Sequence, residues 1–137
     1  MMLVRLPRQL RVQILREAEG AGARECCGLV AGARDGEVFE VAALYPTGNL
    51  AAQPDRFDID PRDHLAAGKA ARANGHRLIG CYHSHPYGRP EPSARDLAGA
   101  GEENFLWLIA AGGDLAAFVY LCGGFVAVDR LLSLGAD

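Results

Sequence analysis

Apolar positions along the chain fall into short runs, interrupted by two stretches of helical spacing. From Pro7 to Ala21, Leu10, Ile14, Leu15 and Ala18 lie on one side of a helix, with Pro7 suited to its first turn and Gly20 and Gly22 to its exit. Two apolar runs follow, Cys26 to Ala31 and Val38 to Leu44. The Asp-Gly step in Arg34-Asp35-Gly36 between them predicts a hairpin. Residues 45 to 55, YPTGNLAAQPD, are rich in turn formers and predict a loop. Phe57-Asp58-Ile59 reads as a brief strand, and Pro61 opens a second helix to about Asn74, closed by Gly75. Leu78 to His83 is the next strand. His85 to Pro92 holds three prolines and a glycine and predicts an irregular loop, after which Ser93 starts a short third helix. Phe105 to Ala111 and Leu115 to Leu121 form a second hairpin around Gly112-Gly113-Asp114. Phe125 to Leu132 reads as a last strand, with a turn to helix as the alternative.

This order predicts an α+β fold, a mixed and mostly antiparallel sheet flanked by helices. No repeat, linker or low-complexity tract divides the sequence, so residues 1–137 are expected to form one domain, long enough to bury a core. Half the residues are apolar and 23% are charged, which sets the chain apart from disordered and membrane classes. With a net charge of −3, nothing in the composition favours nucleic acid or an anionic membrane as partner. The segment MMLVRLPRQLRVQ lacks the sustained apolar stretch of a signal peptide. Leu115 to Val128 is broken by Gly123-Gly124 and falls short of the about 20 residues that a membrane span needs. The expectation is a soluble, cytoplasmic protein. Cys26, Cys27, Cys81 and Cys122 form no Cys-x-x-Cys pair and each lies in an apolar run, so reduced thiols in or near the core are expected. A metal role for Cys81, two residues before His83, is the weaker reading.

The chemistry is concentrated in Cys81 to Asp96, CYHSHPYGRPEPSARD. Side chains alternate across a strand, so His83 and His85 project from one face and two imidazoles can converge on one ion. Asp96, in the first turn of the next helix, can supply a third ligand. Two imidazoles and a carboxylate leave a fourth tetrahedral position for water, as in catalytic rather than structural zinc sites. Ser93 and Asp96 also fit a capping-box pattern, which by itself would explain both. His64 and His76 have no such neighbours and are expected to be exposed.

These residues resemble the signature of the JAMM/MPN zinc metalloproteases. That signature has a distant glutamate, then His-Ser/Thr-His-Pro, then Ser-x-x-Asp, with ten residues between the second histidine and the aspartate. Pro86 to Arg95 match that spacing. Glu25-Cys26-Cys27-Gly28 is similar to the glutamate segment, which is followed closely by Cys-Gly. Asn49 in a proline-containing loop, Phe57 and Asp60-Pro61 are similar to features of compact bacterial members. The resemblance implies an MPN/cytidine-deaminase-like fold, zinc held by His83, His85 and Asp96, Glu25 as general base, and Ser93 as donor to the oxyanion. Without the motif, Glu25 would read as an exposed charge.

Three alternatives bear on this. A non-catalytic MPN scaffold usually lacks one or more ligands, and here every motif position is filled. A nucleobase deaminase needs His-x-Glu and Pro-Cys-x-x-Cys, and neither occurs. The RadC-like group shares the histidine pattern, but Glu-Cys-Cys-Gly and the lack of a basic patch argue against it. The compact chain has little room for the insertions that grip ubiquitin in larger relatives. The resemblance therefore points to ubiquitin-like or sulfur-carrier proteins of the ThiS/MoaD type, cleaved at a Gly-Gly tail, with release of cysteine in cysteine biosynthesis as one form of the reaction. The chain ends Leu134-Gly135-Ala136-Asp137, not Gly-Gly, and is not expected to be a carrier itself.

Overall fold

The computed structural model describes residues 1–135; the last two residues of the expected unit lie outside them. The elements in chain order are β1 (Leu3–Pro7), α1 (Arg8–Ala21), β2 (Cys27–Asp35), β3 (Val38–Thr47), α2 (Pro61–Ala73), β4 (Arg77–Ser84), α3 (Ala94–Gly99), β5 (Phe105–Ala111), β6 (Asp114–Leu121), β7 (Gly124–Ala127) and β8 (Arg130–Leu134). The strands form one sheet in the order β7-β6-β5-β4-β2-β3-β1-β8. Pairing is antiparallel for β2 with β3 and β4 and for β6 with β5 and β7. It is parallel for β4 with β5 and for β1 with β3 and β8. The fold is α+β, as the sequence implied.

Alternation along the central strands sorts the core into two layers. Val30, Tyr82, Leu106 and Leu108 pack with Ile14 of α1, while their chain neighbours Leu29, Cys81 and Trp107 pack with Ala67 of α2. The helices therefore cover opposite faces. The sheet also wraps: only Val128 and Asp129 join β7 at one edge to β8 at the other, a link that spans at most about 11 Å. Backbone bonds from Val128 to Ala117 and from Asp129 to Met2 draw the edges together. No described helix is long and apolar enough to cross a membrane.

Four local expectations are corrected. The chain before Pro7 is strand β1, with Val4 and Leu6 fully buried, and Pro7 is its last residue rather than a residue of the first helical turn. Its partners lie some 35 and 127 positions away, so no local pattern announces it. Phe57 to Ile59 is not a strand; one isolated bridge joins Asn49 to Ile59. Phe125 to Leu132 is two strands, because Val128 and Asp129 leave the sheet to change edges. His64 is exposed as expected, whereas His76 is half-buried.

Gly28 shows how tightly the face of the sheet under α1 is packed. A Cβ there would lie 2.4 Å from the ring of Tyr82, a fully buried side chain whose hydroxyl donates to Glu17 Oε1 at 2.8 Å. Gly28→Ala must displace that ring. The expected loss is about 1–3 kcal/mol of unfolding free energy, the usual result of overpacking, measured by urea denaturation. An unchanged midpoint would contradict the packing.

Candidate metal centre

β4 lies inside the sheet, paired with β2 on one side and β5 on the other, and His83 stands opposite Cys27 and Ile109. It is fully buried. His85 follows the strand, held by its backbone N–H on the carbonyl of Ala110 at 2.8 Å. The proline-rich loop then returns to α3. Ser93 caps α3 by accepting from the Asp96 N–H at 3.1 Å, and Asp96 Oδ2 accepts from the Ser93 N–H at 2.9 Å. That reciprocal cap fixes Asp96 in the first turn, only 4% exposed.

Three donors meet here. His83 Nε2 and His85 Nε2 lie 3.0 Å apart, Asp96 Oδ1 is 3.0 Å from His83 Nε2, and Asp96 Oδ2 is 3.2 Å from His85 Nε2. His85 Nδ1 is 2.9 Å from the carbonyl of Arg89, which can only accept, so that nitrogen carries the proton and Nε2 turns a lone pair toward the cluster. His83 Nδ1 is buried without a partner. Phe57 orients that ring instead, stacked on it at 4.3 Å, with the edge of Trp107 at 5.7 Å.

Glu25 precedes β2 and is 6% exposed, not the surface charge expected without the motif. One of its carboxylate oxygens and a ring nitrogen of each histidine lie within 4.8 Å of one another. Its backbone N–H donates to Pro54 O at 3.2 Å. The next N–H, of Cys26, donates to Ser84 Oγ at 2.8 Å, and Ser84 returns a bond to Cys26 O. Glu25 Oε1 is buried with no hydrogen-bond partner.

Burial pushes the Glu25 carboxyl up to about 7, against the opposing pull of His85. Burial also lowers His83. For Asp96, burial would raise the carboxyl, but the imidazoles of His83 and His85 against it hold it well below the usual carboxylate range. For His85, burial is outweighed by Asp96 and the Arg89 carbonyl, and its value rises. Two buried carboxylates, one with an orphan oxygen, facing two imidazole nitrogens form a donor set that fits a divalent cation.

The Glu25 shift has a consequence for metal-free protein. Folding holds a proton that the unfolded chain releases near pH 4.5, so this contribution is complete below about pH 4.5 and is lost as the pH rises through about 7. Glu25→Gln removes it. In chelator-treated protein the variant's melting temperature should pull ahead of wild type across that window and keep its lead above it. A pH-independent difference would contradict this.

The structure thus brings together all five residues singled out in the sequence: Glu25, His83, His85 and Asp96 converge, and Ser93 lies beside Glu25 and His85 along the same cleft. That cleft, about 410 Å³, is walled by Tyr87, Arg89 and Pro92. A second cleft of about 620 Å³, floored by Phe57, Phe105 and Trp107, reaches Asp96 from the other side. Asp55 and Arg95, paired at 3.0 Å, line both. The cysteines stand apart from the cluster. Cys26, Cys27 and Cys81 have thiols raised by burial, to about 11 for Cys26. Cys81 packs with Leu29, Ala67 and Trp107. Cys122 corrects the core expectation: it is exposed at the turn before β7, with φ of 51°. The contributions of Trp107, Arg89 and Ser84 escape the sequence, since a ring edge, a carbonyl and a strand-to-strand hydroxyl bond leave no local pattern.

Fold and cluster together define an MPN-type α+β domain with a histidine–carboxylate site. A JAB1/MPN domain protein from Archaeoglobus fulgidus shares the fold, with a TM-score of 0.53, 18% identity and coverage of 97% of this chain and 98% of that one. A protein from Desulfitobacterium hafniense matches with a TM-score of 0.83 and 32% identity, covering 97% of this chain and 94% of that chain. Residues 7–121 match the family of prokaryotic homologues of the JAB domain, and the chain belongs to it. Desampylase from Haloferax volcanii is 35% identical over 95 residues, 69% of this chain and 67% of that protein. A probable TtuB-protein conjugate cleaving protease from Thermus thermophilus is 38% identical over 90 residues, 65% of this chain and 55% of that protein.

Proposed function

We propose that this chain is a zinc-dependent isopeptidase that hydrolyses the amide after the terminal glycine of a ubiquitin-like or sulfur-carrier protein. The observation that carries the reading is the convergence of His83, His85 and Asp96 with the buried carboxylate of Glu25. The two relatives whose names describe desampylation and conjugate cleavage support the substrate class.

His83, His85 and Asp96 would hold the metal. Zinc bound there supplies Lewis acidity, lowering the pKa of water to about 7 and polarising the carbonyl. Glu25 takes a proton from the attacking water. As the water oxygen bonds to the carbonyl carbon and the C–N bond breaks, Glu25 delivers that proton to the leaving nitrogen. A carboxylate placed beside the metal can do both. Ser93 Oγ already accepts from Asp96 N–H, so its own proton is free to donate to the developing oxyanion. An extended Gly-Gly tail has no side chains and can thread a narrow cleft beside the proline-rich loop.

The test is mass spectrometry on a carrier–lysine conjugate and a carrier–cysteine adduct, with Glu25→Gln as control. Release of intact carrier ending in its terminal glycine is expected, and the adduct arm decides whether cysteine is a leaving group. Cleavage of unfolded proteins at many sites, with both carrier substrates untouched, would overturn the carrier assignment. No cleavage of anything by metal-loaded protein would favour a scaffold.

A further inference from the structure

We propose that Asn49 is a positioning residue for the base, fixing the Glu25 peptide to the loop that walls the cleft. The inference rests on the isopeptidase reading for its kinetic consequence, and on geometry for its cause.

The carboxylate of Glu25 leaves Oε1 unpartnered, so its placement depends on what holds its backbone. Asn49 Nδ2 donates to Glu25 O at 3.0 Å and to Arg56 O at 3.0 Å. Its Oδ1 accepts from Ala51 N at 3.0 Å and Asp58 N at 2.9 Å. Two donors and two acceptor sites are the full capacity of a primary amide, and all four are used. The pattern also fixes the orientation of the amide, since the reverse would set NH₂ against two N–H groups.

A duller explanation covers only part of this. An Asx-turn accounts for the bond from Ala51 N two residues on. It does not account for a bond to Glu25, 24 residues back. Asn49 closes the loop at its base, where Leu50 N donates to Asp58 O at 2.8 Å. From that loop Pro54 accepts from Glu25 N–H, Phe57 stacks on His83, and Asp55 reaches Arg95, the neighbour of Asp96. One side chain therefore ties the base, a wall of the cleft and a metal-site histidine into one frame. Only asparagine does this at that length: aspartate lacks both donors, and alanine lacks everything.

Asn49→Asp and Asn49→Ala separate anchoring from loop scaffolding. Aspartate keeps both acceptor bonds, and with them the turn, but loses both donated bonds, to Glu25 O and to Arg56 O. Both variants should keep wild-type metal content and lower kcat on a carrier–lysine conjugate by about 10- to 100-fold with KM little changed, since misplacement by about 1 Å costs that much. Amide exchange at Glu25 and Cys26 should accelerate in both. Wild-type kcat and slow exchange in Asn49→Asp, with loss only in Asn49→Ala, would overturn the proposal, as would a loss confined to KM. If the wild type cleaves no conjugate, the isopeptidase reading has failed instead. The exchange measurement still decides: unchanged protection at Glu25 and Cys26 in both variants contradicts the anchor.

Discussion

Glu25→Gln should leave metal content and fold intact and reduce turnover by about 10²–10⁴-fold, the usual contribution of a positioned general base. The amide nearly matches the carboxylate in shape, so the buried site at 6% exposure is neither emptied nor overfilled. What it loses is the ability to accept a proton. Glu25 makes none of the direct contacts joining His83, His85 and Asp96, so metal retention is expected to stay at the wild-type level. Ser93→Ala gives a useful contrast. It should also retain metal, with a smaller loss in kcat from one missing oxyanion donor and about 1 kcal/mol of stability from the lost cap. Wild-type rates in Glu25→Gln would require another base.

Removing a ligand should abolish metal binding and activity together. Of the three proposed ligands each loss leaves only two, and truncation to alanine also leaves a buried cavity. The choice of variant matters. His83→Ala removes a fully buried ring stacked on Phe57, so part of its effect would be lost packing. Asp96→Ala also strips the acceptor of the α3 cap. Asp96→Asn keeps an oxygen for the Ser93 N–H while losing the charge, and His85→Ala disturbs the core least. In those two, metal analysis should find occupancy reduced from about one ion per chain to a small fraction, with the far-ultraviolet spectrum unchanged. Full occupancy in Asp96→Asn combined with His85→Ala would refute the ligand assignment. The analysis also identifies the metal, since two histidines and one carboxylate suit iron as well as zinc.

Much of this was legible before any coordinates. The two-residue step between His83 and His85 carries its own geometry, because a strand puts both side chains on one face. Ser93 and Asp96 likewise announce a helix start. Glu25 was legible only through family resemblance: its burial depends on Pro54, Asn49 and Ser84, all more than 20 positions away. Strand β1 and the crossing from β7 to β8 were hidden for the same reason, since their partners are distant and parallel pairing leaves no turn signal. Asn49 stood in plain view as a loop residue. Nothing in YPTGNLAAQPD says that its amide reaches back to the base.

Turnover is expected to belong to one metal ion held at His83, His85 and Asp96. The most direct test is titration of metal-stripped protein with zinc while the rate of carrier–lysine cleavage is followed. The rate should start near zero, rise in proportion to added zinc and level off at about one equivalent per chain, as expected for a single three-ligand catalytic site. Full activity in the stripped protein, or a rate indifferent to occupancy, would contradict it.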